Sequence, residues 1–212
     1  SLTSSRDRGT FAALSRGGEK NKDGFPLGRD YIASYGFTHV QLRPVRDYQT
    51  VNDEAVFDSY NWGYDPRFYF APEGSYSTDP MDPYARNREL KELISSFHER
   101  GIRVNLDVVY NHVFSQDFNS LGLLCPEYYF RHNPDNTLSN GTGCGNDLES
   151  RNYRVKKLIK DSIRHWIDAF DIDGLRFDLM GILDVETIKE CYEEAKARMN
   201  DFRFYGEGWD LY

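Results

Sequence analysis

The chain has 212 residues, 28% of them charged and 39% hydrophobic, and carries a net charge of -8. With no low-complexity tract, that balance belongs to a folded globular chain and not to a disordered one. The excess of acid argues against nucleic acid or an anionic membrane as the main partner, and no apolar run approaches the roughly 20 residues of a membrane span. Aromatics reach 15%, with fifteen Tyr and three Trp, which suits either a carbohydrate groove or a large core. Cys125, Cys144 and Cys191 are odd in number and irregular in spacing, so neither a disulfide framework nor a zinc site is signalled. The first residues lack both the shape of a signal peptide and an initiator Met, so the chain is expected to begin inside a longer polypeptide.

In chain order, residues 1–26 are polar and rich in glycine and read as loop. A short helix is expected from Leu27 to Tyr35, closed by Gly36, and a strand from Phe37 to Leu42, stopped by Pro44. A long connection runs from Arg43 to about Tyr84. Leu90, Leu93, Ile94 and Phe97 recur at helical spacing within a helix over Asn87 to Arg100, with Gly101 after it and a strand from Ile102 to Val109. A second long loop covers Tyr110 to Ser150.

The third unit has the clearest pattern, a stripe of Val155, Leu158, Ile159, Ile163, Trp166, Ile167 and Phe170. It feeds through Asp171-Ile-Asp-Gly174, with Gly174 as the expected breaker, into a strand over Leu175 to Leu179. A fourth helix over Val185 to Met199, with Asp184 as its N-cap, leads to a strand that starts at Phe202 and reaches Asp210. Helix, turn, strand and long loop in repetition predict right-handed crossovers onto a parallel sheet. Residues 1–212 are read as a single α/β domain. No glycine fingerprint for a dinucleotide follows the first strand, and no phosphate-binding loop is present.

The strand ends are acidic. Asp107, Asp178 and Glu207 stand at three successive C-terminal ends, where parallel α/β folds place their sites, and Asn111 and His112 follow the first of them. Residues two apart on a strand share a face, so Arg176 and Asp178 are expected to point the same way. They could form a structural ion pair, or Asp178 could be a working carboxylate kept ionised by the guanidinium. Converging carboxylates suit acid, base or nucleophilic chemistry on a neutral, hydroxylated substrate. Metal binding competes with that reading, and Asn111 or a nearby carbonyl could hold calcium away from the chemistry.

Asp107-Val-Val-Tyr-Asn-His112, Gly174-Leu-Arg-Phe-Asp178 and Gly206-Glu-Gly-Trp-Asp210 resemble three successive sequence regions of the α-amylase superfamily of retaining glycosidases. Tyr60-Asn-Trp-Gly-Tyr-Asp-Pro66 resembles the hallmark of its α-1,6 debranching members, the type I pullulanases. The resemblance implies a (β/α)8 TIM-barrel domain, of which this chain would supply strands two to five. It implies Asp178 as nucleophile, Glu207 as general acid and base, and Asp107 in support. Asn111, His112 and Arg176 would contact the sugar at the cleaved bond, and Tyr64 would stack beneath it. Met180 would shape the pocket, and Trp209 would offer an acceptor-side platform. Glu207 is expected to keep its proton until substrate binds while Arg176 holds Asp178 as the anion.

The implied substrate is an α-glucan such as pullulan, cut at α-1,6 links without a cofactor. Other activities of the superfamily, isoamylase or α-1,4 hydrolysis among them, stay open, as does glucan binding without turnover. The superfamily's third catalytic carboxylate, after the seventh strand, is not found in these residues, so little activity is expected of residues 1–212 alone. The compartment is not indicated.

Overall fold

The computed structural model describes residues 7–56, 58 and 60–209. Its four strands, β1 (His39–Leu42), β2 (Arg103–Val108), β3 (Gly174–Phe177) and β4 (Arg203–Gly206), lie in chain order in one parallel sheet. The register pairs Leu42 with Leu106, Leu106 with Leu175 and Leu175 with Phe204, so neighbouring apolar residues share one face. Long helices cover that face: α3 (Pro83–His98) precedes β2, α6 (Tyr153–Phe170) precedes β3, and α7 (Val185–Arg198) precedes β4. The short helix α2 (Gly28–Ser34) precedes β1. This is the predicted (β/α) grammar, with four adjacent parallel strands of a barrel-type sheet.

The core forms because the two patterns mesh. Val104, Leu106, Val108, Leu175 and Phe177 are wholly buried against Leu90, Leu93, Ile159, Ile163 and Trp166 from the helices. The Trp166 indole donates to the Tyr69 carbonyl at 2.8 Å, so the largest core ring also has its polar atom satisfied. The opposite face of the sheet carries Gln41, Asn105, Asp107, Arg176 and Tyr205. Tyr205 donates to Gln41 at 2.6 Å and receives a bond from Asn105 at 3.3 Å, tying β4 to β1 and β2 across the sheet.

Several boundaries move for identifiable reasons. The N-terminal stretch is not all loop: Thr10 caps a short helix, α1 (Phe11–Ser15), by accepting from the Ala13 amide. Residues 1–6 lie outside the described residues. Helix α3 starts four residues before the expected Asn87, because the Asp82 carboxylate caps it and Pro83 fits the first turn. The breaker after α6 is Asp171, left-handed at φ 57°, and not Gly174, which is already the first residue of β3. Gly174 is needed for close approach, since a Cβ there would overlap Asn105 and Arg203.

Strand β3 ends at Phe177, and Asp178 extends its ladder by one bond, its amide donating to the Val108 carbonyl at 2.9 Å. Leu179 then turns left-handed at φ 42°, so the expected alternation stops before it. Strand β4 likewise ends at Gly206, and the predicted end at Asp210 lies outside the described residues.

The two long connections are built on buried acids. Glu73 accepts from the amides of Tyr48 and Ser75, and Glu89 from the amide of Thr78. In the loop after β2, which also holds α4 (Ser120–Leu124) and α5 (Pro126–Tyr129), Asp147 accepts from Ser139, Gly141 and Thr142. A carboxylate that gathers several loop N–H and O–H donors satisfies polar groups that a buried loop would otherwise strand.

Candidate active site

The C-terminal ends of β2, β3 and β4 bring three carboxylates to one guanidinium. Arg176 Nη1 lies 3.0 Å from Asp107 Oδ1 and 3.0 Å from Asp178 Oδ1, and its Nη2 lies 3.2 Å from Glu207 Oε2. The expected same-face pairing of Arg176 with Asp178 is present, and the register extends it, because Arg176 pairs with Asp107 on β2. One strand end therefore presents the cation and Asp178, and its two neighbours present Asp107 and Glu207. The Asp107 side chain is 3% exposed, whereas Asp178 and Glu207 are 14% and 25% exposed. Asp107 thus forms the floor, and the other two acids face the opening.

Around them the remaining candidates assemble in a hydrogen-bonded ring. The Tyr64 hydroxyl donates to Asp107 at 2.8 Å. Asn111 Nδ2 donates to the Asp178 carbonyl at 2.7 Å and lies 3.4 Å from its carboxylate. His112 bonds through Nδ1 to the Asn111 side-chain oxygen and through Nε2, at 3.0 Å, to the Tyr64 carbonyl. Burial pushes His112 below its ordinary value against the pull of the Tyr64 carbonyl, and the ring lies between Asn111 and the Tyr64 loop. With both polar ends of its side chain engaged, Asn111 is an anchor for Asp178. Among the described residues no group of three or more His, Cys, Asp or Glu side chains is placed to hold a metal ion.

Electrostatics qualify the expected division of labour. Burial pushes Asp178 above its ordinary carboxylate value, and Arg176 and Asn111 pull it down without overcoming that push. Asp107 is likewise raised by burial against the pull of Arg176 and Tyr64. Burial also works against the Arg176 cation, but the bonds to Asp107 and Asp178 hold it above its ordinary range. The Tyr64 hydroxyl is pushed up to about 12, first by burial and then by Asp107. The guanidinium is therefore not reserved for Asp178, as the sequence suggested, but is shared among three acids.

Met180 and Trp209 occupy a second layer. Met180 opens a short 3-10 turn (Met180–Ile182) and packs so closely on Gly206 that a Cβ there would overlap its sulfur. It thus fixes the residue before Glu207. Trp209 lies against Gly181 through its backbone, while the residue is 59% exposed. One contributor has no signal in the sequence. Left-handed Leu179 directs its amide to Glu207 Oε2 at 3.2 Å, and a non-glycine residue gives no warning of that conformation.

The Tyr60–Pro66 segment is pinned in place to deliver Tyr64. Asn61 donates to the Thr50 carbonyl at 2.9 Å, and the Thr50 amide donates to Asp65 at 2.8 Å. Gly63, at φ 85°, lies on Pro44 just beyond β1, where a Cβ would come within 3.0 Å of that proline.

Three comparisons bear on the family of this chain. The family model for the alpha amylase catalytic domain matches residues 28–137. A pullulanase from Bacillus subtilis is 42% identical over 205 residues, which is 97% of this chain and 29% of the relative. The chain thus spans about three tenths of that relative's length. Isoamylase 3, chloroplastic, from Oryza sativa is 37% identical over 169 residues, covering 72% of this chain and 21% of its own. Among solved structures, the B. subtilis type I pullulanase complexed with maltose superposes with a TM-score of 0.95 at 40% identity, covering 99% of this chain and 30% of that one. Since the family match takes in just over half of its residues, the chain belongs to the α-amylase family, and the relatives it resembles include pullulanases.

Proposed function

We propose that the protein is a retaining glycoside hydrolase that cleaves α-1,6-glucosidic bonds of pullulan and branched α-glucans, with Asp178 as nucleophile and Glu207 as general acid and base. The observation that carries this reading is the single guanidinium that touches Asp107, Asp178 and Glu207 at three adjacent strand ends. Two carboxylates gripped by the two nitrogens of one guanidinium suit the short separation of retaining enzymes, about 5–5.5 Å, better than the wider gap that an inverting water needs.

Asp178 attacks the anomeric carbon while Glu207 protonates the departing glycosidic oxygen, and a covalent glycosyl ester forms on Asp178. Glu207 then takes a proton from water, which attacks the same carbon and frees the sugar with its original configuration. Asn111 and Arg176 fix the Asp178 carboxyl for attack, and Asp107 keeps Arg176 and Tyr64 in register. The half-exposed Tyr64 ring supplies an apolar surface for a sugar face. Maltose in the B. subtilis pullulanase structure supports a malto-oligosaccharide as ligand.

The test is hydrolysis of pullulan by the intact protein, with the anomer of the first product followed by NMR. Retention is expected, with loss of activity on the order of 10⁴ or more in Asp178→Asn and in Glu207→Gln. Normal turnover in a clean Asp178→Asn preparation would refute the assignment. The similarity to a rice isoamylase favours one second reading, a preference for branched glucan over pullulan. Relative rates on glycogen and pullulan separate the two.

A further inference from the structure

The Tyr60–Pro66 segment does more than carry Tyr64. Arg43 follows the last residue of β1, and continuing the register from Leu42 and Leu106 sets it level with Asp107. It could have joined the carboxylates there. Instead its guanidinium lies over the Trp62 indole, 4.4 Å from the ring centroid, and it forms no ion pair with Asp107, Asp178 or Glu207. A cation held over an indole face is attracted by the ring's negative face, which biases the ring's orientation. The Tyr60 ring meets the same indole edge-on, with centroids 6.2 Å apart and planes at 77°. Despite these two neighbours, Trp62 is 55% exposed.

The backbone beneath is fixed too. Gly63 sits on Pro44 and Asn61 is bonded to Thr50, so the loop cannot easily fold the indole away. Two residues further on, Tyr64 reaches the floor of the site through Asp107. A large aromatic surface is thus oriented by a cation, kept open to solvent and placed next to the catalytic cluster. Exposure alone would not mark this ring, but its orientation by Arg43 and its fixed backbone do, and a glucose ring offers the flat C–H face that matches an indole.

We propose that Trp62, oriented by Arg43, is the platform for the glucosyl unit adjoining the one at the cleaved bond, and that the pair sets the preference for α-glucan chains over single glucosides. The proposal rests on the glycosidase reading above. Trp62 is the ligand-touching group, and Arg43 is a positioning residue that acts through the indole.

The experiment compares the intact protein with Trp62→Ala, Trp62→Phe, Arg43→Ala and Arg43→Lys, on pullulan and on an aryl α-glucoside that fills only the cleaved position. Trp62→Ala is expected to raise KM for pullulan about three- to tenfold with kcat within about twofold, and to leave KM for the aryl glucoside unchanged. Arg43→Ala is expected to raise KM for pullulan by about two- to fivefold, and Arg43→Lys, which restores a cation over the ring, to recover most of that loss. Trp62→Phe should stay close to the parent.

Unchanged KM in Trp62→Ala overturns the proposal. So does an equal loss on both substrates, or a lower Tm without a change in KM, which would mean that another segment covers the indole. Maltotetraose binding by calorimetry supplies the second arm. If the parent binds the sugar but cleaves neither substrate, the glycosidase reading fails, and weaker binding in Trp62→Ala still upholds the platform. If binding is equal in both, the platform fails whatever the enzyme cleaves.

Discussion

Replacing Asp178 by Asn should abolish activity and at the same time stabilise the fold at neutral pH. The folded carboxyl of Asp178 sits above its ordinary value, so burial costs the anion more than Arg176 and Asn111 return. A group whose folded value is raised contributes stability below its unfolded value, near 3.9, and loses it as pH rises through the folded value. At pH 7 the native state therefore carries an anion it would prefer to hold as the acid. Three carboxylates surround one guanidinium, and Asn removes one of those negative charges while keeping an oxygen for Arg176 and leaving the 2.7 Å bond from Asn111 to the main chain. Single stabilising substitutions commonly give about 0.5–2 kcal/mol, and the relief expected here falls in that range. For a domain of this size that raises Tm by about 2–4 °C per kcal/mol. Thermal unfolding at pH 7 and at pH 3 is the assay. The gain should be present at pH 7 and should vanish near pH 3, where parent and variant are both neutral at position 178. A lower Tm at pH 7, or the same shift at both pH values, would refute the reasoning.

Two further outcomes test the second layer and the rim. Gly206→Ala forces its Cβ into Met180 and displaces Glu207 beside it, so kcat should fall by about 10²-fold, and Met180→Ala in the same chain should restore much of the loss. If Gly206→Ala alone keeps full kcat, Met180 does not position Glu207. Cys144 is exposed as a residue, yet burial and then Asp178 and Asp147 push its thiol up against the pull of Thr142. Its alkylation at pH 8, read by mass spectrometry of peptides, should therefore lag behind that of exposed Cys125 and gain on it as pH rises, while buried Cys191 stays unmodified in the native protein. Equal rates for Cys125 and Cys144 across that range would show that the loop after β2 does not bring Cys144 near the acids.

What could be read from the sequence was whatever depends on period. The apolar stripe of α6 and the alternation in β2 and β3 are local patterns, and each reports directly which face meets the core. Parallel order followed from the helix between every pair of strands, and the acids at strand ends followed from where such sheets open. Three features could not be read, and two of them depend on a long-range contact. Gly174 has the composition of a turn residue, but its lack of a Cβ serves the approach of Asn105 and Arg203 from the neighbouring strands, which local spacing does not reveal. Leu179 is left-handed because its amide is drawn to Glu207, 28 residues away in sequence. Thr10 caps a helix of only five residues, too short for a periodic signal.

The site shows the same limit most clearly. Arg176 two residues before Asp178 suggested one ion pair, and within a single strand that is all alternation can suggest. The adjacent strands supply the other two acids through register, and register is fixed by packing on the helix face, remote from the charges themselves. The electrostatic consequence follows from that sharing. A cation divided among three carboxylates does not hold Asp178 below its ordinary value, so burial prevails and Asp178, the proposed nucleophile, is disfavoured as the anion in its own site. A carboxylate raised by burial is less stable as the anion where it stands than in water, and covalent attachment to a sugar would remove its charge. On the proposed mechanism, the arrangement that costs the fold stability at neutral pH would lower the cost of forming a glycosyl ester, so stability and activity should move in opposite directions at position 178.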